Sequence, residues 1–278
     1  ILFFRGDGSN ADNPCVLTVP GGFNAYPVPG PVIGDINNDG VPELVMACND
    51  RYIRVFRNYT ENPLTPMTLW ITSADQLDFA DQRPYLADFD GDGTPEIYVG
   101  NDVFRFNFGN PANPTLVRAL SGPTGHIGRA HYSNYSEGAC NSTAVDMLSV
   151  ADCGGDPDCD GLELVAGAYI YSIDLTTADG DGTQIKIQRN LNIMIPNSNY
   201  GDGYTAVADV DLDGTLDVVV SGRRGVATIQ YGVYVWNKTG LLRFLPYPNG
   251  NTRSGSLACV ANIYDDRTAG FAQDFPEI

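Results

Sequence analysis

Positive charge is scarce in this chain. Sixteen lysines and arginines stand against 34 acidic residues, a formal net charge of −18, and the basic residues form no cluster. Nucleic-acid binding needs a positive stripe to neutralise phosphates, so that function class is excluded. Long apolar runs are also missing. None reaches the ~18–20 residues that a bilayer span requires, which argues against direct membrane insertion. Histidine is limited to His126 and His131. There is no G-x-S-x-G, no phosphate-cradling glycine loop and no Cys/His pair at a suggestive spacing. No segment carries a sustained helical period, and β-structure is what remains.

What the chain has instead is recurrent acid. Three stretches follow one rule, D-x-[D/N]-x-D-G-x-x-[D/E]: Asp35-Ile-Asn-Asn-Asp-Gly-Val-Pro-Glu43, Asp88-Phe-Asp-Gly-Asp-Gly-Thr-Pro-Glu96 and Asp209-Val-Asp-Leu-Asp-Gly-Thr-Leu-Asp217. A fourth, residues 152–163, is an expanded version carrying Asp152, Asp156, Asp158, Asp160 and Glu163. Oxygens at alternate positions converge on one point only if the backbone curls, and the glycine at position 6 permits the turn that returns the last acid. Hard oxygen donors in this number suit Ca²⁺. The expected ligands are Asp35, Asn37, Asp39, Val41 and Glu43; Asp88, Asp90, Asp92, Thr94 and Glu96; Asp152, Asp156, Asp158, Asp160 and Glu163; and Asp209, Asp211, Asp213, Thr215 and Asp217, making about four Ca²⁺ sites. The four stretches hold 16 of the acids; four dications would leave a net charge of about −10.

An EF-hand is ruled out. Its bidentate acid stands at position 12 of the loop, where this chain has Met46, Val99 and Val220. Each motif is also followed by a short apolar run, such as Leu44-Val45-Met46 or Val218-Val219-Val220, which reads as a buried strand. The loops therefore join strands.

The first motif residues recur at 35, 88, 152 and 209, and a degraded copy begins at Asn262. One period accommodates four strands: 31–36, 43–48, 52–57 and 67–72 in the first copy; 84–89, 96–100, 103–108 and 115–120 in the second. The third copy gives 144–151, 163–168, 169–174 and 184–194, and the fourth 205–210, 217–222, 232–237 and 241–245. Gly, Pro, Asn and Asp fill the gaps. A four-stranded antiparallel sheet repeated at about this period is the mark of a β-propeller blade.

The acidic loop between strands, preceded by a small-residue strand such as Pro31-Val-Ile-Gly-Asp35, resembles the FG-GAP/VCBS repeat of integrin α-subunits and bacterial surface proteins. The resemblance implies an all-β propeller with calcium loops between strands 1 and 2 of each blade. The whole chain is expected to be one propeller domain, with repeats at about 1–29 (partial), 30–82, 83–142, 143–203, 204–253 and 254–278 (partial). Either the partial ends pair and close five blades, or the chain is a window of a seven-bladed ring. The start at Ile1, without an initiator Met, reads as a removed leader or a fragment.

The resemblance also implies that partners bind the end opposite the metals. The strand 4–to–strand 1 loops at that end carry Phe23, Tyr26, Phe79, His126, His131, Tyr132, Tyr135, Tyr200, Tyr204 and Tyr247. Their rings are suited either to stacking on glycans or peptide side chains, or to wedging between blades. The longest such loop, 121–138, holds both histidines and is the expected recognition loop, with His126, His131, Tyr132, Tyr135, Tyr200 and Tyr204 as ligand-binding residues. Six cysteines are present. A disulfide between Cys153 and Cys159 would pin the expanded loop, two free thiols in a reducing compartment being the alternative; the pairing of Cys15, Cys48, Cys140 and Cys259 is open. Arg5-Gly6-Asp7 reads as turn chemistry, and the sequons at Asn58, Asn134, Asn141 and Asn237 matter only in a glycosylating pathway.

The expectation is a non-enzymatic, calcium-stabilised adhesion module at the cell surface, recognising glycan or protein partners. The alternatives are a polysaccharide lyase or hydrolase on the same scaffold, using His126, His131 or Arg129, and a structural, self-assembling subunit of a surface appendage.

Overall fold

The computed structural model describes residues 2–3, 15–16, 30–57, 67–77, 83–110, 113–122, 128, 141–149, 151–155, 161–175, 185–190, 200–224, 230–247 and 260. Among these every regular element is a strand. No helix in them is long and apolar enough to cross a membrane.

A short antiparallel pair comes first: β1 (Leu2–Phe3) and β2 (Cys15–Val16), with Leu2 opposite Val16 and Phe3 opposite Cys15. Four meandering sheets follow. The first contains β3 (Val32–Gly34), β4 (Glu43–Ala47), β5 (Ile53–Arg57) and β6 (Thr68–Thr72). The second contains β7 (Pro84–Ala87), β8 (Glu96–Val99), β9 (Asp102–Asn107) and β10 (Thr115–Ser121). The third contains β11 (Thr143–Val145), β12 (Glu163–Ala166), β13 (Tyr169–Ile173) and β14 (Ile185–Asn190). The fourth contains β15 (Tyr200–Ala208), β16 (Asp217–Arg224), β17 (Gln230–Asn237) and β18 (Gly240–Pro246). In each, consecutive strands are neighbours, so every connection is a local hairpin and the acidic loops join strand 1 to strand 2.

The second strand of each sheet is the most deeply buried. Every residue of β4, β8 and β12 is buried, as expected of continuous apolar runs covered on both faces. The turn into the third strand needs a left-handed residue, supplied by Arg51 (φ 68°), Gly100 (φ 62°) and Gly167 (φ 57°).

The chain divides into two compact units. One comprises Ile1–Tyr98 and Val103–Ala119, the other Val99–Asp102 and Leu120–Ile278. Within the first, Leu44, Met46, Cys48, Phe56 and Met67 form an apolar cluster. A Cβ at Gly34 would meet the end of the Leu86 side chain, which would have to move aside, so a small residue suits the end of β3. Within the second, Leu148, Val165, Ala168 and Ile170 of the third sheet and its flanking segments pack with Val218, Val220, Tyr234 and Trp236 of the fourth.

Several strand limits differ from the sequence reading. The strand expected at 144–151 is only Thr143–Val145: the N–H groups of Met147 and Leu148 turn to the Glu163 carboxylate, and a turn then runs from Ser149, whose carbonyl accepts from Asp152 and Cys153. The strand expected at 205–210 starts at Tyr200 and stops at Ala208. Tyr200 and Tyr204 therefore belong to a strand and not to a loop; Tyr204 pairs opposite Ser221 and is half-buried. The degraded fifth copy, residues 261–278, lies outside the described residues.

Candidate metal centres

Three loops share one architecture, dictated by their sequence. The first acid accepts two backbone N–H groups from across the loop. Asp39 N–H donates to Asp35 Oδ1 (3.1 Å) and Gly40 N–H to Asp35 Oδ2 (2.7 Å). Asp92 and Gly93 do the same to Asp88, and Asp213 and Gly214 to Asp209. The position-3 oxygen accepts from the same position-5 N–H in Asn37, Asp90 and Asp211. Position 5 accepts from position 7: Val41, Thr94 and Thr215 donate to Asp39, Asp92 and Asp213.

Such winding needs left-handed backbone twice. Gly40, Gly93 and Gly214 have φ of 86°, 88° and 86°, and position 4 is left-handed as well, at Asn38 (57°), Gly91 (69°) and Leu212 (57°). The position-6 glycine was legible in the sequence. The position-4 requirement was not, since leucine gives no such signal.

The ninth residue closes the loop from the start of the second strand. Ile36 N–H donates to Glu43 Oε2 (3.2 Å), Phe89 N–H to Glu96 Oε2 (3.0 Å) and Val210 N–H to Asp217 Oδ2 (2.8 Å). Ligand oxygens of Asp88, Asp90 and Glu96 lie within 4.8 Å of one another, and so do those of Asp209, Asp211 and Asp217. The expected ligands at positions 1, 3 and 9 are thus brought together in these two loops, while the exposed position-5 acids are not part of either group.

Burial makes the ninth acid unusual. Asp217 is 0% exposed, and its Oδ1 is buried with no hydrogen-bond partner. Burial pushes its carboxyl up to about 6 and that of Glu96 to about 7, with the neighbouring loop acids adding in each case. Glu43 is raised for the same reason. A buried, unpaired carboxylate oxygen facing other acids is costly, and an oxygen-seeking dication would satisfy it. The donor set fits Ca²⁺, with carboxylates as the principal ligands. Neighbouring strands contribute single contacts. Arg105 of β9 reaches Asp90 at 3.1 Å, and Asn237 of β17 reaches Asp211 at 3.4 Å.

The third loop is built differently. Its closing acid Glu163, also 0% exposed, accepts from both Met147 N–H (2.9 Å) and Leu148 N–H (3.1 Å). Asp152, expected to open this loop, turns its carboxylate to the N–H (3.0 Å) and hydroxyl (2.8 Å) of Ser149 instead. Cys153 is disulfide-bonded. Its expected partner Cys159, with Asp156, Asp158 and Asp160, lies outside the described residues. Cys48 is a free, buried thiol.

At the opposite end of the second unit several polar groups are engaged internally. Asp202, 4% exposed, accepts N–H bonds from Gly128 (2.9 Å) and Gly203 (3.0 Å), and Gly167 N–H donates to Thr205 Oγ1 (2.8 Å). Gly167 sits so near Asp202 that a Cβ there would collide with it. His126, His131, Tyr132 and Tyr135, and likewise Phe23, Tyr26, Phe79, Arg129 and the Arg5-Gly6-Asp7 tripeptide, lie outside the described residues. Of the sequons, Asn237 is 8% exposed and accepts from Thr239 and Gly240 N–H with its side-chain oxygen; its amide is a turn element.

Comparison with known proteins agrees with this geometry over part of the chain. Residues 35–99 match the FG-GAP-like repeat family. A crystal structure described as BBS1N in complex with ARL6DN, soaked with lead, is similar at 16% identity and a TM-score of 0.44, over 81% of this chain and 59% of that one. This chain therefore spans less than two thirds of that relative. No curated protein matches. The match to the FG-GAP-like repeat over residues 35–99 falls in a chain whose described residues form four four-stranded antiparallel sheets, of the kind from which propeller blades are made.

Proposed function

We propose that the chain is a calcium-stabilised, non-enzymatic binding module of the cell exterior, which recognises a glycan or protein partner through the loops opposite its acidic ones. The observation that carries the calcium part is the buried Oδ1 of Asp217, unpartnered beside Asp209 and Asp211. When bound, the cation supplies positive charge that lets these carboxylates stay ionised together, and it ties each strand 1 to its strand 2. Asp35, Asn37 and Glu43; Asp88, Asp90 and Glu96; and Asp209, Asp211 and Asp217 hold it in three loops. The role is structural, since the acids are committed to their own loop backbone.

Millimolar calcium outside cells matches modules with affinities of ~10⁻⁴–10⁻³ M, and the disulfide at Cys153 suits an oxidising compartment. Both support the exterior address. The partner end rests on the aromatic content of the loops preceding each first strand, with His126, His131, Tyr132 and Tyr135, together with Tyr200 and Tyr204 of the adjoining strand β15, as the residues to test.

A glycan array probed with the calcium-loaded chain tests this reading. Binding that is lost in Tyr132→Ala and Tyr204→Ala, with unchanged melting temperatures, supports it. Polysaccharide cleavage that disappears in His126→Ala or His131→Ala replaces it with the enzyme reading. Self-association without ligand binding replaces it with a structural subunit.

A further inference from the structure

The register of the third sheet aligns its acidic loop with the regular ones. In the first and fourth sheets the closing acid pairs opposite the last residue of strand 1, Gly34 opposite Glu43 and Ala208 opposite Asp217. The next residue along the chain is the opening acid, Asp35 or Asp209. In the third sheet the same register sets Val145 opposite Glu163, and the next residue is Asp146. The hydrogen bonds agree. The residue after each opening acid donates its N–H to the closing acid: Ile36, Phe89 and Val210 in three loops, and Met147 in the third. Donor and acceptor are seven residues apart in the three regular loops and 16 apart here. The extra residues form an insert, in which Cys153 is disulfide-bonded and its side chain packs against the cluster containing Leu148 and Val165.

Glu163 shows the same unmet demand as Asp217. One oxygen takes two N–H groups, and Oε1 is buried with no hydrogen-bond partner. A fully buried carboxylate oxygen left without a donor is expensive, and in the fourth sheet the closing acid belongs to a converging triad. Asp152 is already engaged by Ser149, whereas Asp146 is exposed at the mouth of the loop.

We infer that Asp146 and Glu163 form the fixed half of a further divalent-cation site in the third sheet, with Asp146 rather than Asp152 as its opening ligand. The inference rests on the calcium reading of the regular loops and extends it to a loop whose spacing hides the pattern.

The test is equilibrium dialysis of the full chain against calcium chloride, counting bound calcium per chain for wild type, Asp146→Asn, Glu163→Gln and Asp152→Asn. Asp146 is exposed, and the amide oxygen introduced by Glu163→Gln still accepts from Met147 and Leu148, so neither change should prevent folding; melting curves in EDTA check this. The expected result is loss of one bound calcium, or at least tenfold weaker binding of one, in Asp146→Asn and Glu163→Gln, with Asp152→Asn at the wild-type count. A full complement in Asp146→Asn overturns the inference while the calcium reading stands. Wild type that binds no calcium overturns both. Loss in Asp152→Asn with retention in Asp146→Asn returns the opening position to Asp152.

Discussion

Val210 and Asp217 are joined by a 2.8 Å hydrogen bond from the backbone N–H of the first to one carboxylate oxygen of the second, and the other oxygen of Asp217 is buried without a partner. That half-satisfied carboxylate separates two effects. Its bond to Val210 shapes the loop whether or not a cation is present. Its other oxygen costs stability until something positive reaches it.

Asp217→Asn keeps an acceptor for Val210 and removes the buried charge. In EDTA the variant should melt at or above the wild-type temperature. In calcium at a hundred times the dissociation constant, the wild type should gain about 2.7 kcal/mol from each such site, and the variant should forgo one site's share. Urea or thermal melts with and without calcium read both quantities. An undiminished calcium response in Asp217→Asn counts against the assignment.

Protons should compete with the cation. Burial lifts Glu96 to about 7 and Asp217 to about 6, above the ordinary carboxylate values near 4. A folded-state pKa raised in this way gives stability that is fully present below the unfolded value and lost as pH rises through the folded one. The EDTA-treated chain should therefore lose stability from these two groups between about pH 4.5 and 7.5, and Glu96→Gln should flatten that slope. Calcium should raise the melting temperature little at pH 5 and strongly at pH 7.5. A calcium response independent of pH over this range would contradict the prediction.

The left-handed positions can be separated by substitution. Leu212 is 37% exposed with φ 57°, so glycine there relieves strain and loses little packing. Leu212→Gly should stabilise by roughly 0.5–1 kcal/mol after the flexibility of glycine in the unfolded chain is counted. Gly214→Ala, at φ 86° with open space around a Cβ, should destabilise by about 1–2 kcal/mol from backbone strain alone. Denaturant melts of the two variants in EDTA decide the signs.

Away from the acidic loops, Arg54 is held by Asp50 through a two-pronged contact at 2.8 and 2.6 Å and is itself 6% exposed. Removing Asp50 takes two charge-assisted hydrogen bonds from a buried guanidinium, so Asp50→Ala should cost about 2–3 kcal/mol, well above the effect of a surface ion pair. The Arg54 hydrogen bond holds the Asp50 carboxyl below its ordinary value, so its contribution is present above the unfolded pKa and fades as pH falls through the folded one. A change under about 0.5 kcal/mol, the size of a surface effect, would mean the pair is solvated.

The sheets were legible because their second strands are unbroken apolar runs between glycine-, proline- and acid-rich turns: Leu44-Val45-Met46 and Val218-Val219-Val220 could be placed without coordinates. The regular loops were legible for a different reason. Positions 1, 3, 5 and 6 declare themselves by side-chain type. The third loop was legible only in part, because an insertion breaks the spacing on which the motif depends and the denser acids begin at Asp152, beyond Asp146. Only the register of β11 on β12 restores the equivalence. Tyr204 was placed in a loop because the expected strand began at 205; Gly203 beside it lies against Gly222 and the Ser221 carbonyl with no room for a side chain, so it is a close-packed strand residue.

Cation binding at these acidic bends is read by equilibrium dialysis of the EDTA-stripped full chain against millimolar calcium, with magnesium as competitor. Saturable binding of about four calcium ions per chain, preferred over magnesium and accompanied by a higher melting temperature, is the predicted result. No saturable calcium binding, with a melting temperature the same in EDTA and calcium, would contradict it.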